Sequence, residues 1–189
     1  NISGDSAPIR KVYLQPESPA AYAPALDAIV NADLIILGPG SLYTSVIPNL
    51  LVTGVVDAIR WSRGTTVYAC NVATQRGETD HFTATDHIRA VVEYLGRGNL
   101  DYAVVNSNLA SAQAIKPELG VTAVLDDGQI AIYDGVKIVG ADVSSDTNPL
   151  RHDPAKLSQV LVRLGHPAGS AAPLSVDRIE ARTSEPLKI

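Results

Sequence analysis

The sequence predicts an α/β protein, a doubly wound, mostly parallel sheet with flanking helices, and three observations carry that prediction. Strand-length runs recur at residues 34–37, 65–70 and 101–106. Each is followed by a polar or glycine-rich loop. Apolar residues at helical spacing lie between them, and strands alternating with helices pack as a parallel sheet with helices on its faces.

Residues 1–9 are polar and turn-like, and the alternation Ile9, Arg10, Lys11, Val12, Tyr13, Leu14 predicts a strand near a sheet edge. Four prolines from Pro8 to Pro24 interrupt the next stretch. Pro24 suits the first turn of a helix whose apolar face is Leu26, Ile29 and Val30. Leu34-Ile35-Ile36-Leu37 reads as a central strand buried on both faces. Val52, Val55, Val56 and Ile59 fall at helical spacing, with Pro48 expected to separate them from a shorter helical piece over Tyr43 to Ile47. A strand from Thr65 to Cys70 follows Gly64 and leads into a polar loop, Asn71 to His81. Thr83-Ala-Thr-Asp86 is a capping box, opening a helix with Ile88, Val91, Val92 and Leu95 inward. The strand Asp101 to Asn106 ends in Asn106-Ser107-Asn108. Asp127-Gly128 and Asp134-Gly135 look like hairpin turns, and Val136 to Val139 reads as a strand. In the last helix Asp153 caps, Pro154 takes the first position, and Leu157, Val160, Leu161 and Leu164 form the stripe. Beyond Gly165 the tail is rich in Pro, Ala and Ser and reads as an extended segment, ordered only if a neighbour holds it.

Composition narrows the function classes. The 189 residues are 46% hydrophobic and 19% charged, as in an ordinary globular protein. A net charge of −5 without clustered Lys or Arg argues against a nucleic-acid partner. No apolar run approaches the ~20 residues of a membrane span. A single cysteine, Cys70, excludes an intrachain disulfide and suggests a reduced, cytoplasmic setting. The chain opens on Asn1 and contains no methionine, so it is expected to be part of a longer protein.

The first candidate site is Gly38-Pro39-Gly40-Ser41, which turns the chain at the carboxyl end of a strand, where open α/β sheets bind ligands. Free backbone N–H groups and the hydroxyls of Ser41, Thr44 and Ser45 suit phosphate oxygens. The other reading is a connection that needs glycine for geometry alone. The loop lacks the Lys of a P-loop, and Tyr43 stands where a dinucleotide fingerprint has its third glycine, which disfavours a nicotinamide-dependent dehydrogenase. The loop from Asn71 to Asp80, with Thr74 and Gln75, is dense in groups that bind sugars or phosphates. Glu78, Asp80 and Asp86 could hold a hard cation such as magnesium through oxygen, although Asp86 is also accounted for as a helix cap and Asp80 could serve the same turn. Asn106 and Asn108 could read a base edge or ribose, or stabilise a turn. Arg151 and His152 precede the last helix, where an Arg fork would meet phosphate or simply be solvated. His81, His87, His152 and His166 show no zinc spacing, His87 reads as structural, and a nucleophilic hydrolase is not expected.

Residues 32–52 (ADLIILGPGSLYTSVIPNLLV), 70–80 (CNVATQRGETD), 86–90 (DHIRA) and 151–153 (RHD) closely resemble the YvcK-type branch of the CofD-like proteins. The resemblance spans about residues 5–165. It implies a Rossmann-like fold that binds a nucleotide, with residues 1–165 as the C-terminal portion of the domain and 166–189 as a tail outside it. The Gly-Gly-Gly-Thr-Gly loop that opens the family domain is absent, which fits the expectation of a partial chain. The YvcK branch binds UDP-sugars such as UDP-N-acetylglucosamine and is linked to gluconeogenic growth, cell-wall synthesis and cell shape. The CofD branch transfers a phospholactyl group from a guanylyl donor to a deazaflavin with magnesium. Gly38, Gly40 and Ser41 match the family's second phosphate-side loop, and Arg151 matches a basic position associated with the nucleotide sugar. Arg76 stands where proline is usual, and Pro154 where many relatives carry a threonine, so threonine-based regulation there is not implied. The family also favours a short helix near residues 127–133 over a hairpin.

The resulting expectation is a cytoplasmic nucleotide-sugar-binding regulator of carbon flux and envelope synthesis. The competing expectation is a transferase of a phosphate-linked group, with Glu78 or Asp80 holding magnesium. No certain cofactor is implied, and a homo-oligomer is compatible with the chain.

Overall fold

Five strands form one sheet in the order β1-β2-β3-β5-β4, in a computed structural model that describes residues 9–126 and 130–165. β1 (Leu34–Leu37), β2 (Thr65–Ala69), β3 (Tyr102–Asn106) and β5 (Val136–Ala141) run parallel, and β4 (Ile132–Tyr133) pairs antiparallel with β5. Alternate side chains leave opposite faces. Ile35, Tyr68, Ala103, Val105 and Val136 join one core with Leu42, Ile47, Ile59, Ile88, Val91 and Leu95. Those partners come from the turn Leu42–Val46 and from α2 (Ile47–Leu50), α3 (Val55–Trp61) and α4 (Ala84–Leu95). On the other face Val67, Ala69 and Val104 meet Leu157 and Leu161 of α6 (Pro154–Gly165). Helices thus cover both faces, as the alternation in sequence requires.

The strongest local signals hold. The Thr83 hydroxyl accepts from the Asp86 N–H at 3.2 Å while the Asp86 carboxylate accepts from the Thr83 N–H at 2.8 Å. Asp153 Oδ1 accepts from the N–H of Ala155 and Lys156, both at 2.9 Å, and opens α6. Asp134 and Gly135 take φ of 50° and 83°, the left-handed pair of a two-residue hairpin turn. Ile132 and Tyr133 are accordingly strand, against the short helix expected from the family. Asp127 and Gly128, and the tail 166–189, lie outside the described residues.

Several expectations are corrected. β1 is the outer strand among the described residues, and Ile36 is 44% exposed because only β2 pairs with it. Ile9 to Leu14 forms no strand; Arg10, Lys11 and Tyr13 are exposed, and alternation without a pairing neighbour cannot close a ladder. In α1 (Ala23–Val30) Ile29 packs against the core, whereas Val30 is 39% exposed and is not part of it. Pro48 does not divide the helix. It lies in the first turn of α2, where a missing N–H is tolerated, and the break falls later, at Gly54 with φ 93°. Val52 therefore precedes α3. Among the described residues, no helix is long and apolar enough to cross a membrane.

His87 of α4 is fully buried; its Nδ1 donates to the Thr83 carbonyl at 2.9 Å, and its ring meets Phe82 edge-on at 5.5 Å. Burial holds its pKa below 6.5, against the opposing pull of that carbonyl and of Asp86. The folded ring therefore resists protonation while the unfolded ring accepts it. Stability is fully present above pH 6.5 and falls as the pH drops below it. His152, also held low by burial, acts in the same direction. A thermal midpoint that declines from about pH 6.5 toward 5 is the expected result. An unchanged midpoint over that interval would show that neither ring is buried neutral.

Candidate functional site

The loops that follow β1, β2, β3 and β5 all leave the carboxyl ends of parallel strands, so they share one rim of the sheet. After β1, Gly38 has φ 83° and is joined to Pro39 by a cis peptide bond. A Cβ at Gly38 would lie 3.1 Å from the Ala69 carbonyl oxygen, so the turn passes directly over the end of β2. Gln75, from the loop after β2, donates its Nε2–H to Ser41 Oγ at 2.8 Å. Three residues on, Glu78 Oε1 accepts from the N–H groups of Tyr43 and Thr44 at 2.6 and 3.2 Å. The start of the helical segment is capped from 35 residues away. Ser41, the local cap position, makes no such bond. Among the described residues no hydrogen bond reaches the N–H of Gly40 or Ser41. These two groups and the exposed Thr44 and Ser45 hydroxyls are the donors left for a ligand.

The rest of the second loop supports itself. The Asn71 amide donates to Gln75 at 3.3 Å, and Thr79 Oγ1 accepts from the Gln75 N–H at 2.9 Å. Thr74 is buried and exchanges hydrogen bonds with Thr122, so it anchors the loop and does not face the rim. Asp80 accepts from the Gly77 N–H at 2.6 Å. Asp86 belongs to the capping box, with a contact to Arg89. Burial would raise its pKa, but hydrogen bonds from Thr83 and the charge of Arg89 bring it below 3.8. Glu78, Asp80 and Asp86 are thus spent on three different backbone turns. Among the described residues, no three His, Cys, Asp or Glu side chains gather to hold a metal ion. The trio expected to bind magnesium does not fit that role.

The fourth loop closes the rim. His152 Nε2 donates to the Cys70 carbonyl at 3.0 Å, tying the segment after β5 to the loop after β2. Arg151 is beside it and exposed, held through its backbone by Asn148 and Ser145. The Cys70 thiol is fully buried and pushed up to about 12, so it is no nucleophile at neutral pH. Asn106 is buried and Oδ1 accepts from the N–H groups of Asn108 and Val143, both at 3.3 Å; Asn108 caps α5 (Leu109–Gln113) through Ser111. Both asparagines follow the turn-stabilising alternative.

Sequence reasoning missed Lys156. Its ammonium donates to Asp142 at 3.0 Å, Asp146 at 2.7 Å and the Ser144 carbonyl at 3.1 Å, gathering the loop that carries Arg151. Its contacts with Asp146 and Asp142 raise its pKa, so it stays charged but committed. Only its position three residues after the Asp153 cap could have drawn notice.

Comparison with known proteins places these loops in a wider group. The family described as 2-phospho-L-lactate transferase CofD matches residues 1–144. A gluconeogenesis factor of Halalkalibacterium halodurans is 38% identical over 168 residues, covering 87% of this chain and 52% of that protein. The gluconeogenesis factor of Bacillus subtilis is 37% identical over 164 residues, covering 82% and 50%. A crystal structure of a Bacillus halodurans protein of the UPF0052 family superposes with a TM-score of 0.73 at 36% identity, covering 82% of this chain and 51% of that one. The chain spans about half the length of these relatives.

Proposed function

The chain belongs to the CofD family, and from that premise we propose that its rim binds the diphosphate of a nucleotide sugar of the UDP-N-acetylglucosamine type. In this reading the protein is a cytoplasmic regulator that couples nucleotide-sugar level to carbon flux, cell-wall synthesis and cell shape. The observation that carries it is the joining of three loops into one edge by the Gln75–Ser41, Glu78–Tyr43 and His152–Cys70 contacts. Gly40, Ser41 and Thr44 would take phosphate oxygens, Asn71 and Gln75 the neighbouring hydroxyls, and Arg151 the remaining negative charge. The names of the gluconeogenesis factors support a role in carbon metabolism.

Calorimetric titration of the full-length polypeptide tests this. UDP-N-acetylglucosamine is expected to bind, and Arg151→Ala to weaken it by ~1–3 kcal/mol, the value of a charged hydrogen bond. Unchanged affinity in that variant would remove Arg151 from the site, and absence of binding to the unaltered protein would end the reading.

A second reading, transfer of a phosphate-linked group, is favoured by the transferase after which the matching family is described. Turnover of a guanylyl donor with a deazaflavin acceptor would establish it in place of the first.

A further inference from the structure

We infer that the open edge of β1, with α1 beside it, seats a further parallel strand supplied by the half of the full-length polypeptide that this chain does not span. The inference stands apart from the nucleotide reading and does not rest on it.

The two outer strands of the sheet are built differently. β4 is two residues long and ends at the turn Asp134-Gly135. So short an edge offers little to a neighbour. β1 has none of the devices that guard an edge. Leu34-Ile35-Ile36-Leu37 carries no charge and no proline, and it pairs with β2 without a bulge. A continuous apolar run of this kind is the composition of a parallel strand inside a sheet.

The register fixes which groups are left open. The Thr65 N–H donates to the Asp33 carbonyl, and Leu34 and Ile36 lie opposite Thr65 and Val67. In such a parallel ladder Asp33, Ile35 and Leu37 bond to β2, so the N–H and C=O groups of Leu34 and Ile36 point outward. The Ile36 side chain at the same edge is nearly half exposed.

α1 points to the same occupant. Its sequence APALDAIV has a single charge, Asp27, yet none of its residues is buried. It lies against α3 and is followed directly by β1. A helix that leads into a parallel strand is the second half of a strand–helix–strand crossover. Among the described residues no strand precedes it.

The relatives have chain to spare for that strand. This chain covers 52% of the Halalkalibacterium halodurans protein and 50% of the Bacillus subtilis one. The open groups of two residues are too few to hold a separate molecule against the cost of association. A strand on the same polypeptide is presented at high effective concentration and escapes that cost.

Hydrogen exchange resolved by residue in the full-length polypeptide tests this. The Leu34 and Ile36 amides are expected to be protected at least about a hundredfold, alongside those of Ile35 and Leu37. An open edge would leave Leu34 and Ile36 near the rate of an unpaired amide while Ile35 and Leu37 stay protected, and the inference would be overturned. Protection that disappears on dilution would equally overturn it, since a second copy would then be the occupant. Ile36→Lys puts a charge where side chains of the incoming strand should pack. It is expected to lower the thermal midpoint of the full-length polypeptide by roughly 5–10 °C. A midpoint within about 1 °C of the unaltered protein would place Ile36 in water and overturn the inference. The exchange pattern decides even if that variant fails to fold.

Discussion

Replacing Gly64 with alanine is expected to lower the unfolding free energy by about 3 kcal/mol or more, above the usual range for overpacking. An added Cβ would sit 2.1 Å from the Ala32 carbonyl oxygen and 3.0 Å from the carbonyl carbons of Ala32 and Asp33. These are backbone atoms, so no side chain can swing aside. The clash falls where β1 and β2 first meet: the Thr65 N–H donates to the Asp33 carbonyl at 2.9 Å, and Leu34 pairs with Thr65. Relief requires opening that rung. Because β1 leads directly into Gly38 to Ser41, the displacement should also weaken the ligand binding proposed for that turn. Denaturant unfolding and ligand titration of one variant check both consequences. A loss under about 1 kcal/mol would show that the entry of β2 can shift freely, contrary to the rigid pairing described.

Glu78→Ala should cost about 2–3 kcal/mol, because it strands the Tyr43 and Thr44 N–H groups without their shared acceptor in a half-buried turn. It also severs one of the ties between the loops after β1 and β2, leaving Gln75 to Ser41 and the edge-on contact of Tyr43 with Phe82. The contrast with Glu78→Gln is informative. The amide keeps a carbonyl oxygen of nearly the same shape, so its loss should stay below about 1 kcal/mol. Equal destabilisation by both substitutions would mean that charge, and not the cap, holds the turn. A negligible loss in Glu78→Ala would mean that the helical segment needs no acceptor from the second loop.

The candidate site was only partly legible beforehand. The glycine turn stood out because Gly-Pro-Gly after an apolar run is a local pattern. The exposed Arg151 stood out because it precedes a capped helix. The roles of the carboxylates did not. Glu78, Asp80 and Asp86 are spaced as metal ligands could be, yet each is claimed by a different backbone turn. Thr74 was a candidate ligand contact and Asn106 either a ligand contact or a turn stabiliser, and both are buried and hydrogen-bonded to distant loops. Spacing along a chain does not reveal which acceptor a buried N–H will take.

The alternation of strand and helix, the capping box at Thr83, the cap at Asp153 and the strand after Gly135 could all be read from the chain alone, whereas the hairpin at Asp134-Gly135 competed with a short helix until the structure resolved it. Each of these depends on residues within a few positions of one another, where backbone sterics and short-range hydrogen bonds decide. That β1 is outermost among the described residues, that Ile9 to Leu14 finds no strand to pair with, and that Glu78 reaches back 35 residues to cap the segment after the glycine turn emerged from the three-dimensional packing. Those outcomes follow from which surfaces meet once the sheet has closed, and distant groups are brought together by packing that no local pattern encodes.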